Sequence, residues 1–196
     1  MFKKVRRYLR VFKPNNFFMM VRKRFYKHLS DCKRVEGVWN IYQAGIMNGK
    51  GRIIGHNTMI GYYPSEGFYN NVFYIEARNE DAIVEIGNSV INNGFSCVSD
   101  HGRISIGDDC LIGVNFSVIN SDFHPIKVSQ RHNGGGRSKD VVIGNNVFIG
   151  SNVSIMKGVT VGDNAVIANG SVVFDDVEAD TIVRGNPAVF YKKLHE

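Results

Sequence analysis

The sequence predicts a mainly β fold, a solenoid of short parallel strands, and three observations carry the prediction. From Ile143 the chain reads IGNNVF, IGSNVS, IMKGVT, VGDNAV, IANGSV, V, which places aliphatics at 143, 149, 155, 161, 167 and 173 without a slip. A smaller side chain follows four residues after each of the first five, at Val147, Val153, Val159, Ala165 and Ser171. Between them stand Gly, Asn and Asp, which suit corners of positive φ, while the β-branched residues suit strands. A period of six is that of a solenoid, in which each short strand and turn buries one large and one small side chain against the coils above and below.

The chain of 196 residues, 43% hydrophobic, can bury one substantial core. We read residues 1–34 as a basic helical extension and 35–196 as the β-solenoid domain. Residues 1–34 carry twelve Lys and Arg against the single acid Asp31, a charge of +11, which leaves −5 for the remainder. The basicity belongs to the extension, so nucleic-acid binding by the main domain has no support. In MFKKVRRYLRVFK, Phe2, Val5, Leu9 and Phe12 recur at helical spacing; Pro14 breaks the pattern, Asn16 offers a cap, and Phe18, Val21, Phe25 and Leu29 continue an apolar stripe. Two readings of residues 1–29 stand open: peripheral contact with an anionic membrane, or a helical lid over the open end of the solenoid. Charges interrupt every apolar run, so neither a membrane span nor a cleaved leader is expected, and the body is read as cytoplasmic, with the extension placing it at the inner face of the membrane under the first reading. Cys32, Cys97 and Cys110 lie far apart without CxxC spacing, which argues against a disulfide framework or a cysteine zinc site.

Along the main domain the same clock appears at Ile54 and Ile60, at Ile86, and at Ile106, Ile112 and Val118. Residues 62 to 82 read as an irregular or lengthened coil. Val118 and Ile143 are 25 positions apart, which is no multiple of six. A loop at 120–140 must therefore leave the solenoid, and functional residues ride on loops held by rigid scaffolds. This loop holds SDFHPI and the glycine-rich basic run HNGGGRSK. The latter lacks the G-x-x-x-x-G-K-[ST] pattern of a nucleotide loop and opens no helix, so we read it as a flap, with Arg131 or Arg137 placed to meet an acidic sugar.

The in-phase hexapeptides, and the closing stretch GDNAVIANGSVVFDDVEADTIVRGNPAVFYKKL, resemble the hexapeptide-repeat acyltransferases over roughly residues 50 to 190. The resemblance implies a left-handed parallel β-helix, whereas connection rules alone favour right-handed crossovers. It also implies a homotrimer with active sites in the clefts between neighbours, acetyl-CoA as donor, and no metal. Sugar and polysaccharide O-acetyltransferases are the members it suggests, and a bacterial surface polysaccharide or its precursor is the acceptor we expect.

SDFHPI resembles the family's catalytic segment, which makes His124 the general base. Imidazole titrates near neutrality, so it can take the proton of an attacking hydroxyl and pass it to the leaving thiolate. Asp122 is open to two roles, orienting the imidazole or contacting a sugar hydroxyl. Pro125 restricts His124 to extended backbone. Asn115, in IGVNFSVIN, matches a family position that helps to hold the acceptor; the plain alternative is an asparagine at a tight turn. For the coenzyme, the family's usual tryptophan is replaced here by Phe148, which keeps apolar bulk and loses the indole N–H. Ser151, by its hydroxyl or backbone N–H, is the candidate for steadying the thioester oxyanion. Asn169 falls beside the expected pantetheine arm, and Lys157, Arg184, Lys192 and Lys193 are candidates for the coenzyme phosphates.

Rival readings within the enzyme class are N-acetylation of an amino sugar and acetylation of a xenobiotic. Metal-dependent hydration would need a regular set such as His101, His124 and His132, and the sequence lacks paired histidines on successive rungs. A non-catalytic binding or structural β-helix would not require the excursion at 120–140.

Overall fold

The computed structural model describes residues 14–133 and 135–194. The chain climbs as a parallel β-helix with three walls, visited in a fixed order. The first wall stacks Ile83–Ile86, Arg103–Ile106, Val141–Ile143 and Thr160–Val161. The second stacks Val90–Ile91, Leu111–Ile112, Phe148–Ile149, Val166–Ile167 and Thr181–Arg184. The third stacks Phe73–Ala77, Ser96–Ser99, Ser117–Ile119, Ser154–Ile155 and Val172–Val173. One long strand, Arg52–Ile60, turns a corner and pairs with the first wall through its early residues and the second through its last. An antiparallel hairpin, Thr181–Arg184 with Val189–Lys193, closes the C-terminal end.

The clock sets this register. Ile86, Ile106, Ile143 and Val161 align up the first wall, Ile91, Ile112, Ile149 and Ile167 up the second, and Ile75, Cys97, Val118, Ile155 and Val173 up the third. All of them are buried. Each fully buried aliphatic contributes about 1.5–3 kcal/mol relative to exposure, so the columns are the main source of stability. Where the later coils place Val153 and Ser171, earlier coils place Phe95 and Phe116, stacked with centroids 5.8 Å apart. Cys97 and Cys110 are free and buried, and burial raises both thiols.

Corners are made by residues that tolerate the left-handed region. Between the second and third walls, Gly94, Asn115, Asn152 and Gly170 all have positive φ. Their amides stack: Asn71 donates to Asn115 at 2.9 Å, and Asn115 donates to Asn152 at 3.1 Å. A second ladder between the first and second walls runs from Asn146 to Asn164 and on to Asp180, each link 2.8 Å long.

Three expectations change. Ile54 is not in phase: Gly55 pairs with Ile86 and takes the inward position, because a Cβ there would meet the Trp39 ring at 2.4 Å. Residues 62 to 82 are not irregular throughout, since Phe73–Ala77 is a regular strand of the third wall. The helix of the extension, α1, is Pro14–His28, so Asn16 lies inside its first turn and Pro14 starts it, a position where the missing N–H costs nothing. The expected helix over residues 2 to 12 lies outside the described residues.

The described part of the extension lies against the open end of the β-helix. Its inward side carries Met19, Arg22, Lys23 and Tyr26, and Met19 is buried. An end coil leaves carbonyls that no further coil can pair, and buried carbonyls need donors. Lys23 Nζ donates to Ile41 O of this coil at 2.8 Å, and Arg22 reaches the exposed turn before Phe73–Ala77, donating to Tyr69 O and, at 3.0 Å, to Asn70 O. The stripe of Phe18, Val21, Phe25 and Leu29 faces outward instead.

Candidate active site

The loop at 120–140 leaves at the corner between the third and first walls. Its mouth is pinched. Ser121 and Ser138 form an antiparallel bridge, and Asp122 N donates to Arg137 O at 3.4 Å. The two strands of the neck run so close that a Cβ on Gly136 would stand 2.4 Å from Phe123 N, which is why a residue without a side chain sits there. Lys157, on the corner of the next coil, donates to the Asp122 carboxylate and, at 3.0 Å, to Arg137 O. One ammonium thus ties both sides of the neck to the rigid prism.

Beyond the neck the backbone is forced. Phe123 has φ 59°, a conformation that costs a bulky L-residue about 1–2 kcal/mol. Its N–H donates to Ser121 Oγ at 3.0 Å, and the Arg78 guanidinium lies over its ring at 4.7 Å. The turn delivers His124 to the surface, with its N–H on Asp122 O at 2.7 Å. The imidazole is exposed and has no hydrogen-bond or ion-pair partner among the described residues. The Asp122 carboxylate is bound by Lys157 and makes no hydrogen bond to the ring.

Beneath the loop lies a polar patch that the sequence reading missed. Asp100, only 7% exposed, accepts from Ser121 Oγ at 3.0 Å and from Asn79 Nδ2 at 3.2 Å, and its N–H donates to Asn120 Oδ1 at 2.8 Å. Beside it, Arg78 Nε donates to Glu76 at 2.8 Å and Tyr74 OH donates to Glu76 at 2.9 Å. Burial acts to raise the Glu76 carboxyl, but the hydrogen bonds from Arg78 and Tyr74 outweigh it and leave its pKa below the ordinary value. Burial first, and then Glu76, raises the Tyr74 phenol. The alternation in YIEAR is the signal that marks these outward polar residues on a third-wall strand.

The remaining candidates lie on a different edge. Asn115, Ser151 and Asn169 stand at the corner between the second and third walls, and Phe148, 52% exposed, points outward from the second wall beside exposed Leu111. Asn115 takes its place in the amide ladder, with φ 57°, as the tight-turn alternative requires. Ser151 Oγ accepts from Val114 N at 3.2 Å. On the closing hairpin, Arg184 stacks on Tyr191 at 3.8 Å, Lys192 is exposed, and Lys193 pairs with Glu178. Of the basic residues matched to coenzyme phosphates, Lys157 is therefore engaged at the loop neck. His101 is bound to Asp81 and Asn79, and no three His, Cys, Asp or Glu side chains converge among the described residues. A single chain thus brings His124, Asp122, Arg137 and Lys157 together at one edge and Asn115, Phe148, Ser151 and Asn169 at another.

Comparison with known proteins is consistent with this architecture. The family profile described as bacterial transferase hexapeptide (six repeats) matches residues 140–175, and that described as hexapeptide repeat of succinyl-transferase matches 103–128. Over these residues the chain is similar to the hexapeptide-repeat transferases. It is 35% identical over 113 residues to the galactoside O-acetyltransferase of Escherichia coli, covering 58% of this chain and 55% of that one. It is 31% identical over 81 residues to the polysialic acid O-acetyltransferase of Neisseria meningitidis, covering 41% of this chain and 38% of that one. The matched stretches thus span little more than half of these curated relatives at most. The crystal structure of the polySia-specific acetyltransferase NeuO superimposes with a TM-score of 0.58 at 27% identity, covering 84% of this chain and 86% of that one.

Proposed function

We propose that the protein transfers acetyl from acetyl-CoA to a sugar hydroxyl, with His124 as general base, and that the sugar belongs to a bacterial surface polysaccharide or its precursor. The observation that carries this reading is the bare imidazole: a neck tied to the prism and a strained turn present the His124 ring to solvent with no side-chain partner among the described residues. A histidine with a structural task would be bonded; this one is left to bond a substrate. The names of the galactoside and polysialic acid relatives support a sugar acceptor.

In this mechanism the His124 ring accepts the hydroxyl proton as the sugar oxygen forms its bond to the thioester carbonyl carbon. The C–S bond then breaks, and the proton passes from His124 to the departing sulfur, leaving an ester and a free thiol. A base near neutral pKa contributes about 10²–10⁴-fold. The Asp122–Lys157 clamp fixes where the ring stands, and Arg137, exposed at the neck, meets an acidic acceptor.

The donor site, in this reading, is shared between copies. Phe148, Ser151 and Asn169 of one copy face the loop of a neighbour in a left-handed, homotrimeric assembly, which joins the two edges that one chain holds apart. Phe148 supplies apolar surface for the pantetheine arm, Ser151 a donor toward the thioester oxygen, and Lys192 and Arg184 charge toward the phosphates. The enzyme works in the cytoplasm.

The test is thiol release from acetyl-CoA by the purified protein with a panel of sugars and polysaccharide fragments, His124→Ala alongside. Acceptor-dependent release that disappears in the variant supports the reading. Release at the wild-type rate from a folded variant refutes His124 as the base, and no release with any acceptor refutes the activity.

A further inference from the structure

The outward side of α1 is an apolar surface that the acetyl-transfer reading leaves unused. Phe17, Phe18, Val21 and Phe25 are each about half exposed, at 50%, 51%, 48% and 59%. They follow one another around the helix on the side opposite Met19, Arg22, Lys23 and Tyr26, which the prism takes up. Beside the helix opens a groove of about 1090 Å³, edged by Val21 and Phe25 and walled by Trp39, Ile41 and Met47 of the end coil and Phe73 of the next. Its rim is cationic, with Arg24 and Lys27 both exposed.

We propose that this end of the prism is a docking surface for an anionic phospholipid bilayer, with α1 lying in the plane of the interface. An amphipathic helix of this kind buries its apolar side at the headgroup boundary and sets its cations against lipid phosphates. Charge selects the occupant. Residues 1–34 carry twelve cations and one acid, Asp31, which already accepts from Gly49 N at 2.8 Å. A second copy would bring an equal positive charge to the same face. Residues 1–13 bring six cations of their own, so as an occupant of the groove they would repel its rim. An anionic surface is the complement of both. No helix among the described residues is long and apolar enough to cross a membrane, so the contact is peripheral.

The inference does not rest on acetyl transfer, and its test needs no substrate. The whole protein is sedimented with vesicles of phosphatidylcholine alone and of phosphatidylcholine with phosphatidylglycerol, at low and high salt. The triple variant Phe18→Asp, Val21→Asp, Phe25→Asp and the double variant Arg24→Glu, Lys27→Glu are run beside it. Thermal unfolding and solution mass report whether each variant keeps its fold and assembly. We expect binding to the anionic vesicles only, weakened by salt, and about tenfold weaker or worse in each variant while unfolding and mass stay those of the wild type. Failure of the wild type to bind overturns the proposal. So does a triple variant that binds as the wild type does, which would assign the attraction to residues 1–13. A changed solution mass in the triple variant also overturns it, because the face would then be a contact between copies.

Discussion

The Asp122 carboxylate is bound to Lys157, and the imidazole of His124, two residues further on, is bound by neither side chain. The Asp122 carboxylate holds the loop to Lys157, and the backbone and the Phe123 turn set where the imidazole stands. This separates two roles that a sequence places within three positions.

The pair therefore predicts a distinctive double-mutant cycle. Asp122→Asn and Lys157→Met each release the neck, and the double variant is expected to be little worse than either alone. The coupling is expected at about 1 kcal/mol, as for partly exposed pairs in good geometry. Amide exchange of residues 121–138 should rise in all three variants, while exchange in the stacked walls stays unchanged. Additive losses would show that the two residues act apart.

Gly136→Ala tests the neck from the other side. The new methyl meets backbone atoms of Phe123, Asp122 and His124 at 2.4, 2.9 and 2.9 Å, none of which is a flexible side chain. The neck must open, moving His124. Misplacement of a catalytic group by about an ångström costs on the order of 10²-fold, so acetyl transfer should fall by that much with the melting point nearly unchanged.

Removal of a rung from the core should act on stability alone. Ile155 is wholly buried between Val118 and Val173 in the third-wall column. Ile155→Ala is expected to destabilise by about 2–5 kcal/mol in denaturant titration. His124→Ala, at an exposed site whose ring has no partner among the described residues, should shift stability by less than about 0.5 kcal/mol.

The Glu76 carboxyl gives a pH signature. Its pKa is lower in the folded chain than in the unfolded one, so the unfolded state binds the proton more tightly. The stabilisation is then complete above the ordinary carboxylate value and is lost as pH falls through the depressed one. Stability of the wild type relative to Glu76→Gln should be greatest near neutrality and shrink on acidification through that range. A difference that stays constant with pH would show that the Arg78 and Tyr74 contacts do not depend on the charge.

The walls were legible because burial in a stacked coil repeats with the chain: one side chain in six must be large and apolar, and the interval from Ile143 to Val173 shows it without noise. The phase at Ile54 was not legible, because the reason for Gly55 is the Trp39 ring, sixteen residues earlier and on the coil below. His124 stood out through the break in the count. Its surroundings did not, since Lys157 comes to Asp122 across 35 residues and Asp100 to Ser121 across 21. Contacts between coils depend on how many residues each loop withdraws from the stack, and a hexapeptide count gives no measure of that. The stripe on α1 was visible as a stripe, but periodicity cannot tell which medium the stripe meets.

The wall closes behind the loop at 120–140 as though the loop were absent. Ile106 still pairs with Ile143, and Val118 with Ile155. Residues 126–135, beyond the neck and the base, can therefore be lengthened, shortened or exchanged without displacing a single rung. The neck works as a socket: one unchanged pillar can accept successive inserts, so a lineage can change the acceptor it recognises while inheriting its stability intact.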